Sequence, residues 1–139
     1  MTEPAEQFPF VELDPAAGAL SLMPMLPLAL SRGQHSAIAS GLLDTGAAIN
    51  VLPYSIGLQL GAIWAQQTTP VQLTGNMAGI EARVLIASAQ IGRFAPARLA
   101  FAWAASDAMP VILGQTNFFQ EFDACFFRAR SVFEVRPRS

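Results

Sequence analysis

The chain has 139 residues, of which 53% are hydrophobic and only 13% charged, and its net charge is −2. That length fits one domain able to bury its own core, spanning residues 1–139, and the composition is far from the polar, charged signature of disorder. The basic residues are all arginine and are scattered, so no cationic stripe exists to neutralise a run of phosphates, which speaks against a nucleic-acid partner.

The opening Met1-Thr2-Glu3-Pro4-Ala5-Glu6 is acidic with no apolar segment directly behind it, unlike a secretory leader, so the cytoplasm is the expected compartment. Residues 1–7 and 136–139 are expected to be flexible ends. Glycine and proline then punctuate the chain at short intervals, with apolar runs of strand length between them. This all-β rhythm predicts strands over 8–13, 20–30, 36–43, 69–73, 81–91, 97–103, 111–113, 124–127 and 132–135. The 20–30 run is too short to cross a bilayer, and Pro24 and Pro27 suit an edge strand, so no membrane partner is expected.

Two segments break the β pattern. Residues 53–60 begin with proline and are followed by Gly61, the punctuation of a short helix. Over 115–122, Phe118, Phe119 and Phe122 recur at helical spacing and predict one aromatic face turned into the core. The single cysteine, Cys125, sits in an apolar run with Ala124, Phe126 and Phe127, where a buried small hydrophobe is expected.

The carboxylates lie almost wholly in termini and polar turns, and Asp44 differs. It ends the apolar run 38–43 and is followed by Thr45, Gly46 and Ala47. An aspartate there could simply cap the following turn through its own side chain. The triplet alone is cheap, since roughly one random chain of this length in twenty would contain it. Context adds weight: Val111-Ile112-Leu113-Gly114 answers it much later, followed by the aromatic helix. The lone His35 stands in a polar turn, and with one cysteine it cannot supply a zinc ligand set or a Ser-His-Asp triad, so no metal and no cofactor is expected. Asp107 reads as turn chemistry.

Gly41-Leu42-Leu43-Asp44-Thr45-Gly46-Ala47 resembles the active-site loop of the retropepsins, the retroviral-type aspartic proteases, and Ile112-Leu113-Gly114 resembles their hydrophobic-hydrophobic-glycine motif. The glycine-flanked turn Gly75-Asn76-Met77-Ala78-Gly79 resembles the flap hairpin that closes over substrate, and 122–135 resembles the terminal hairpin of single-domain bacterial relatives. The resemblance implies an all-β retropepsin-like barrel or sandwich with a short helix in its C-terminal half, and an endopeptidase acting on protein or peptide. Asp44, Thr45 and Gly46 would be catalytic. Ala47, Ala48, the flap residues 75–79, Val111 and Ile112 would contact substrate. Only one Asp-Thr-Gly is present, so the second half must come from a symmetry mate, which implies a homodimer. Thr45 would bond across to the partner, and Gly46 would let the backbone turn tightly beside the carboxylate. Two close aspartates cannot both ionise comfortably, so one would hold a proton while the other accepts one from water. Retroviral enzymes typically carry aspartate at the position of Ala48 and arginine at that of Gln115, an ion pair lost here at both ends. The competing reading keeps the fold without catalysis, as a dimerisation or peptide-binding module.

Overall fold

In a computed structural model, residues 4–139 are described. Twelve strands and two short α-helices follow one another: β1 Glu6–Pro9, β2 Val11–Glu12, β3 Leu22–Met23, β4 Met25–Arg32, β5 His35–Leu43, β6 Asn50–Leu52, α1 Tyr54–Gln59, β7 Pro70–Gln72, β8 Glu81–Gln90, β9 Ala97–Ala104, β10 Val111–Leu113, α2 Phe118–Glu121, β11 Phe122–Phe127 and β12 Val132–Pro137. Seven strands form one sheet in the order β4-β5-β10-β6-β9-β8-β7, and a further pairing of β4 with β8 curls it into a barrel. Among the described residues no helix is long and apolar enough to cross a membrane.

Strand alternation divides the interior in two. Leu85, Ala87 and Ala89 of β8, Leu99, Phe101 and Trp103 of β9, Leu52 of β6, and Val111 and Leu113 of β10 point into the main core. The residues between them, Ala82, Ala102, Ala104, Val51 and Ile112, point the other way into a smaller apolar cluster with Leu73 and Met109. Sheet strands buried on both faces need apolar residues in unbroken runs, which is why 111–113 lacks alternation. Phe118 and Phe122 are buried and stacked with ring centroids 5.1 Å apart, but the expected helix over 115–122 is cut to α2, because Phe122 is extended and opens β11, and Phe119 is only half-buried. Helix α1 is preceded by Pro53 at its N-cap and followed by Gly61 at φ +74°, a conformation that costs glycine little. Its first turn is braced by Asp107, whose carboxylate accepts the Ser55 N–H at 2.8 Å.

Several expectations are corrected. The expected strand 8–13 divides at Phe10: β1 pairs with β12, whereas β2 pairs with β3. The expected strand 20–30 divides too, because Gly18–Ser21 forms a 3-10 turn and Pro24 interrupts the ladder. Pro27 is accommodated within β4, ahead of the stretch Ala29 to Ser31 that pairs with β8. The ends are less loose than composition implies: Glu6, Gln7, Arg136 and Pro137 are all strand-paired, and Arg93 forms an ion pair with Glu6 at 3.4 Å. Residues 1–3 of the expected N-terminal tail lie outside the described residues. Cys125 is exposed, because it alternates with Phe122 and Ala124 onto the outer face of β11 beside Asp123. Finally, β6 is a strand that its three-residue length concealed.

Candidate active site

Asp44 is the first residue beyond β5, and the parallel partner β10 fixes where it emerges. Gly41, Leu42 and Leu43 pair with Val111, Ile112 and Leu113, and the Asp44 N–H donates to the Leu113 carbonyl at 3.0 Å. This close pairing needs Gly41, since a Cβ there would meet the Leu113 side chain at 2.7 Å. Asp44 shares a strand face with Leu42, and Leu42 stands opposite Ile112, so the carboxylate leaves the sheet on the side of the smaller cluster.

The carboxylate is partly exposed, and Oδ1 accepts the Gly46 N–H at 3.0 Å. A Cβ on Gly46 would sit 3.3 Å from that oxygen, so glycine is favoured by the approach of the carboxylate and not by a left-handed backbone. The same bond is what an aspartate-capped turn would make. What sets this loop apart is how it is held from below. Gln115 N–H donates to Ala47 O, Thr116 N–H to Ala48 O, and Asn50 N–H to Thr116 O, each at 2.9 Å. The Gln115 side chain adds a 2.8 Å bond to the Thr45 carbonyl, so an uncharged donor stands at the position where retroviral enzymes carry an arginine.

Gly114 is the tightest point. An added Cβ would lie 2.5 Å from the Ile49 carbonyl oxygen and 2.8 Å from that of Ala47, both main-chain atoms. Its N–H donates at 2.8 Å to Oδ1 of Asn50, a side chain with 0% exposure. Asn50 Nδ2 in turn donates to Ala100 O at 3.0 Å and to Asn117 Oδ1 at 3.1 Å. Asn117 Oδ1 also accepts the Ala100 N–H, and its Nδ2 donates to Arg98 O. Two asparagines thereby tie the Asp44 loop, the Gly114 segment and β9 together with every polar atom paired. Sequence reading passed over both. The available signal was a polar residue, Asn50, in the apolar run Ile49 to Leu52, which calls for a buried partner set.

Of the expected substrate contacts, Ala47, Ile112 and Met77 are brought together, joined by Ile49, around the smaller cluster. Thr45 and Ala48 are exposed on the loop. Residues 75–79 lie in the connection between β7 and β8, which pair as an antiparallel hairpin with a 3-10 turn over Gly75–Met77. Gly75 and Gly79 have φ of +66° and +89°, which the turn requires. Met77 and Ile80 pack down onto the cluster, while Gly75, Asn76, Ala78 and Gly79 are exposed. Val111 is a correction. It is buried in the main core beside Leu113, because the parallel register turns Ile112, and not Val111, toward the Asp44 face. Among the described residues no cluster of three or more histidine, cysteine or carboxylate side chains could hold a metal ion.

No protein-family model matches the chain, and no curated protein matches it in sequence. Among solved structures, a retropepsin-like aspartic protease from Rickettsia conorii aligns over 99% of this chain and 94% of its own, with a TM-score of 0.64 and 13% identity. The EIAV protease complexed with the inhibitor HBY-793 aligns over 69% of this chain and 85% of its own, with a TM-score of 0.49 and 20% identity. The chain therefore has a retropepsin-like fold.

Proposed function

We propose that this chain is one protomer of an aspartic endopeptidase, in which two Asp44 carboxylates, one from each copy of a homodimer, activate water to hydrolyse a peptide bond. The observation that carries the reading is the placement of Asp44. It emerges from paired parallel strands, is fixed by Leu113 O and the Gly46 N–H, and is held from below by a fully paired network that turning the chain alone would not need. A single Asp-Thr-Gly per chain makes the second copy a chemical requirement.

In this reading the ionised carboxylate takes a proton from water as the oxygen attacks the peptide carbonyl carbon. The protonated partner carboxyl hydrogen-bonds the carbonyl oxygen and stabilises the charge that develops there. The C–N bond then breaks, the proton taken from water passes to the leaving nitrogen, and a free carboxyl and amine result. The packing of Met77 and Ile80 of the β7–β8 hairpin on the apolar cluster beside the loop supports reading that hairpin as a flap over an extended peptide.

The test compares wild type with Asp44→Asn on a diverse peptide library between about pH 4 and 7, the range in which paired carboxylates are tuned. Asparagine keeps an oxygen for the Gly46 N–H, so the variant is expected to fold and to lose all specific cuts. Equal cutting by both proteins would end the catalytic reading, and fully active monomers in sedimentation would end the dimeric one.

A further inference from the structure

Two turns meet at one end of the molecule. The first is the 3-10 turn Gly18–Ser21, fixed by the Ser21 hydroxyl, which accepts the Asp14 N–H at 3.0 Å and bonds the Asp14 and Gly18 carbonyls. The second is Arg128–Arg130, which joins β11 to β12. Arg128 ties the two together. Its guanidinium donates to Ala19 O and to the Ser131 hydroxyl, each at 3.3 Å, and lies 5.6 Å from the Phe10 ring centroid. Phe10 packs edge-on against Phe133, and so does Phe126 at 6.4 Å from the other side of the hairpin ladder.

This end is apolar and cationic together. Leu20 is 88% exposed although the turn that carries it is fixed, and Phe126 is 39% exposed. Arg128 and Arg130 are exposed beside them, Arg130 lying 4.5 Å from the Phe127 ring centroid. Arg83, Arg93, Arg136 and Arg138 each have a carboxylate at ion-pair distance. Among the described residues neither Arg128 nor Arg130 has one, and the nearby Asp14 turns its Oδ1 to the Ala16 N–H at 3.0 Å.

We propose that this tip docks on the anionic surface of a lipid bilayer, with Leu20 and Phe126 entering the headgroup layer and Arg128 and Arg130 meeting lipid phosphates and carboxylates. Charge complementarity selects this occupant. An acidic membrane surface rewards each nearby arginine and each apolar side chain removed from water, and it has no shape that a pair of turn ends must match. A second copy docking tip to tip would instead set the guanidiniums of both chains against each other with no carboxylate between them. A nucleic acid would use the arginines and leave Leu20 in water. Adsorption of this kind needs no spanning helix, and it stands independently of the reading of Asp44.

The experiment sediments the full-length protein with vesicles of equal parts phosphatidylcholine and phosphatidylserine, and with vesicles of phosphatidylcholine alone. Wild type is expected to partition onto the anionic vesicles and to be released as salt rises from about 0.1 to about 1 M. Leu20→Ser is expected to weaken partition about tenfold and Arg130→Gln about fivefold. Both side chains are exposed and make no hydrogen bond in the fold, so unchanged urea midpoints are expected for both variants. Arg98→Gln is the control: Arg98 is also exposed without an ion pair, but it neighbours Phe122 and Pro137 at the opposite end of the β11–β12 hairpin, and its loss should leave partition unchanged. Soluble glycerophosphoserine is expected not to compete. The inference is overturned if anionic vesicles bind no protein, if neutral vesicles bind it equally, or if partition survives Leu20→Ser and Arg130→Gln. It is also overturned if glycerophosphoserine displaces the protein, which would mark a free-anion site, or if Leu20→Ser changes the oligomeric state without lipid, which would mean that a second copy covers the tip.

Discussion

Replacing Asn50 by alanine removes three hydrogen bonds at once from beneath the loop that carries Asp44. The Gly114 N–H and the Ala100 carbonyl lose their bonds to that side chain, while Asn117 Oδ1 keeps the Ala100 N–H. Each buried group left unpaired costs about 1–3 kcal/mol, so two cost roughly 2–6 kcal/mol, the lower figure applying where water fills the vacated space. That is a large part of the usual margin of about 5–15 kcal/mol. With a urea m-value of about 1–3 kcal/mol/M, a loss of about 3 kcal/mol lowers the unfolding midpoint by roughly 1–3 M. Asn50→Asp sharpens the test. Its carboxylate still accepts the Gly114 N–H but faces Ala100 O and Asn117 Oδ1, two acceptors, so only its protonated form can donate to one of them. The folded state therefore raises that carboxyl pKa above its unfolded value. The stability of the variant relative to wild type is then greatest below the unfolded value, near about pH 4, and is lost as pH rises toward 7. A midpoint shift under about 0.3 M for Asn50→Ala, or an Asn50→Asp protein indistinguishable from wild type at pH 7, would refute the load assigned to this side chain.

Gly114→Ala drives a methyl into the Ile49 and Ala47 carbonyls, which cannot swing aside; a loss of about 1–3 kcal/mol in denaturant unfolding is expected, together with loss of any peptide cleavage. Asp107→Ala frees the Ser55 N–H at the start of α1 and is expected to cost about 1 kcal/mol in thermal or urea unfolding, with cleavage specificity unchanged. Gln115→Ala removes an exposed bond to Thr45 O, so stability is expected to fall by no more than about 1 kcal/mol, whereas kcat on a cleaved peptide falls because the loop carrying Asp44 loosens.

Most of the β frame could be read from the chain because strand-length apolar runs are bounded by glycine and proline, and the end of β5 announced itself through a carboxylate following an apolar run. What could not be read was which face each residue of an all-apolar run would take. Val111 and Ile112 are chemically alike, and only the parallel register with Gly41 and Leu42 sends the first into the core and the second toward Asp44. Cys125 failed for the same reason: alternation along β11, and not the company of phenylalanines, decides its exposure. Strand β6 has three residues and partners far off in sequence at Ala102 and Ile112, so it left no local signature. The division of 8–13 into β1 and β2 was hidden by continuity of composition, since nothing there marks the change of partner after Phe10.

The small sheet made by β1, β12 and β11 bears on how the chain acquires its fold. Glu6 pairs with Val135 and Pro9 with Val132, so the earliest strand takes its place only against nearly the latest. During synthesis at about 5–20 residues per second, Phe8 and Phe10 must wait, exposed, until the far end of the chain has been made, and closing so long a loop is entropically slow. The barrel strands β4, β5 and β8 can assemble in the meantime, which makes docking of the N-terminal strand a late event and the interval before it the period of greatest aggregation risk.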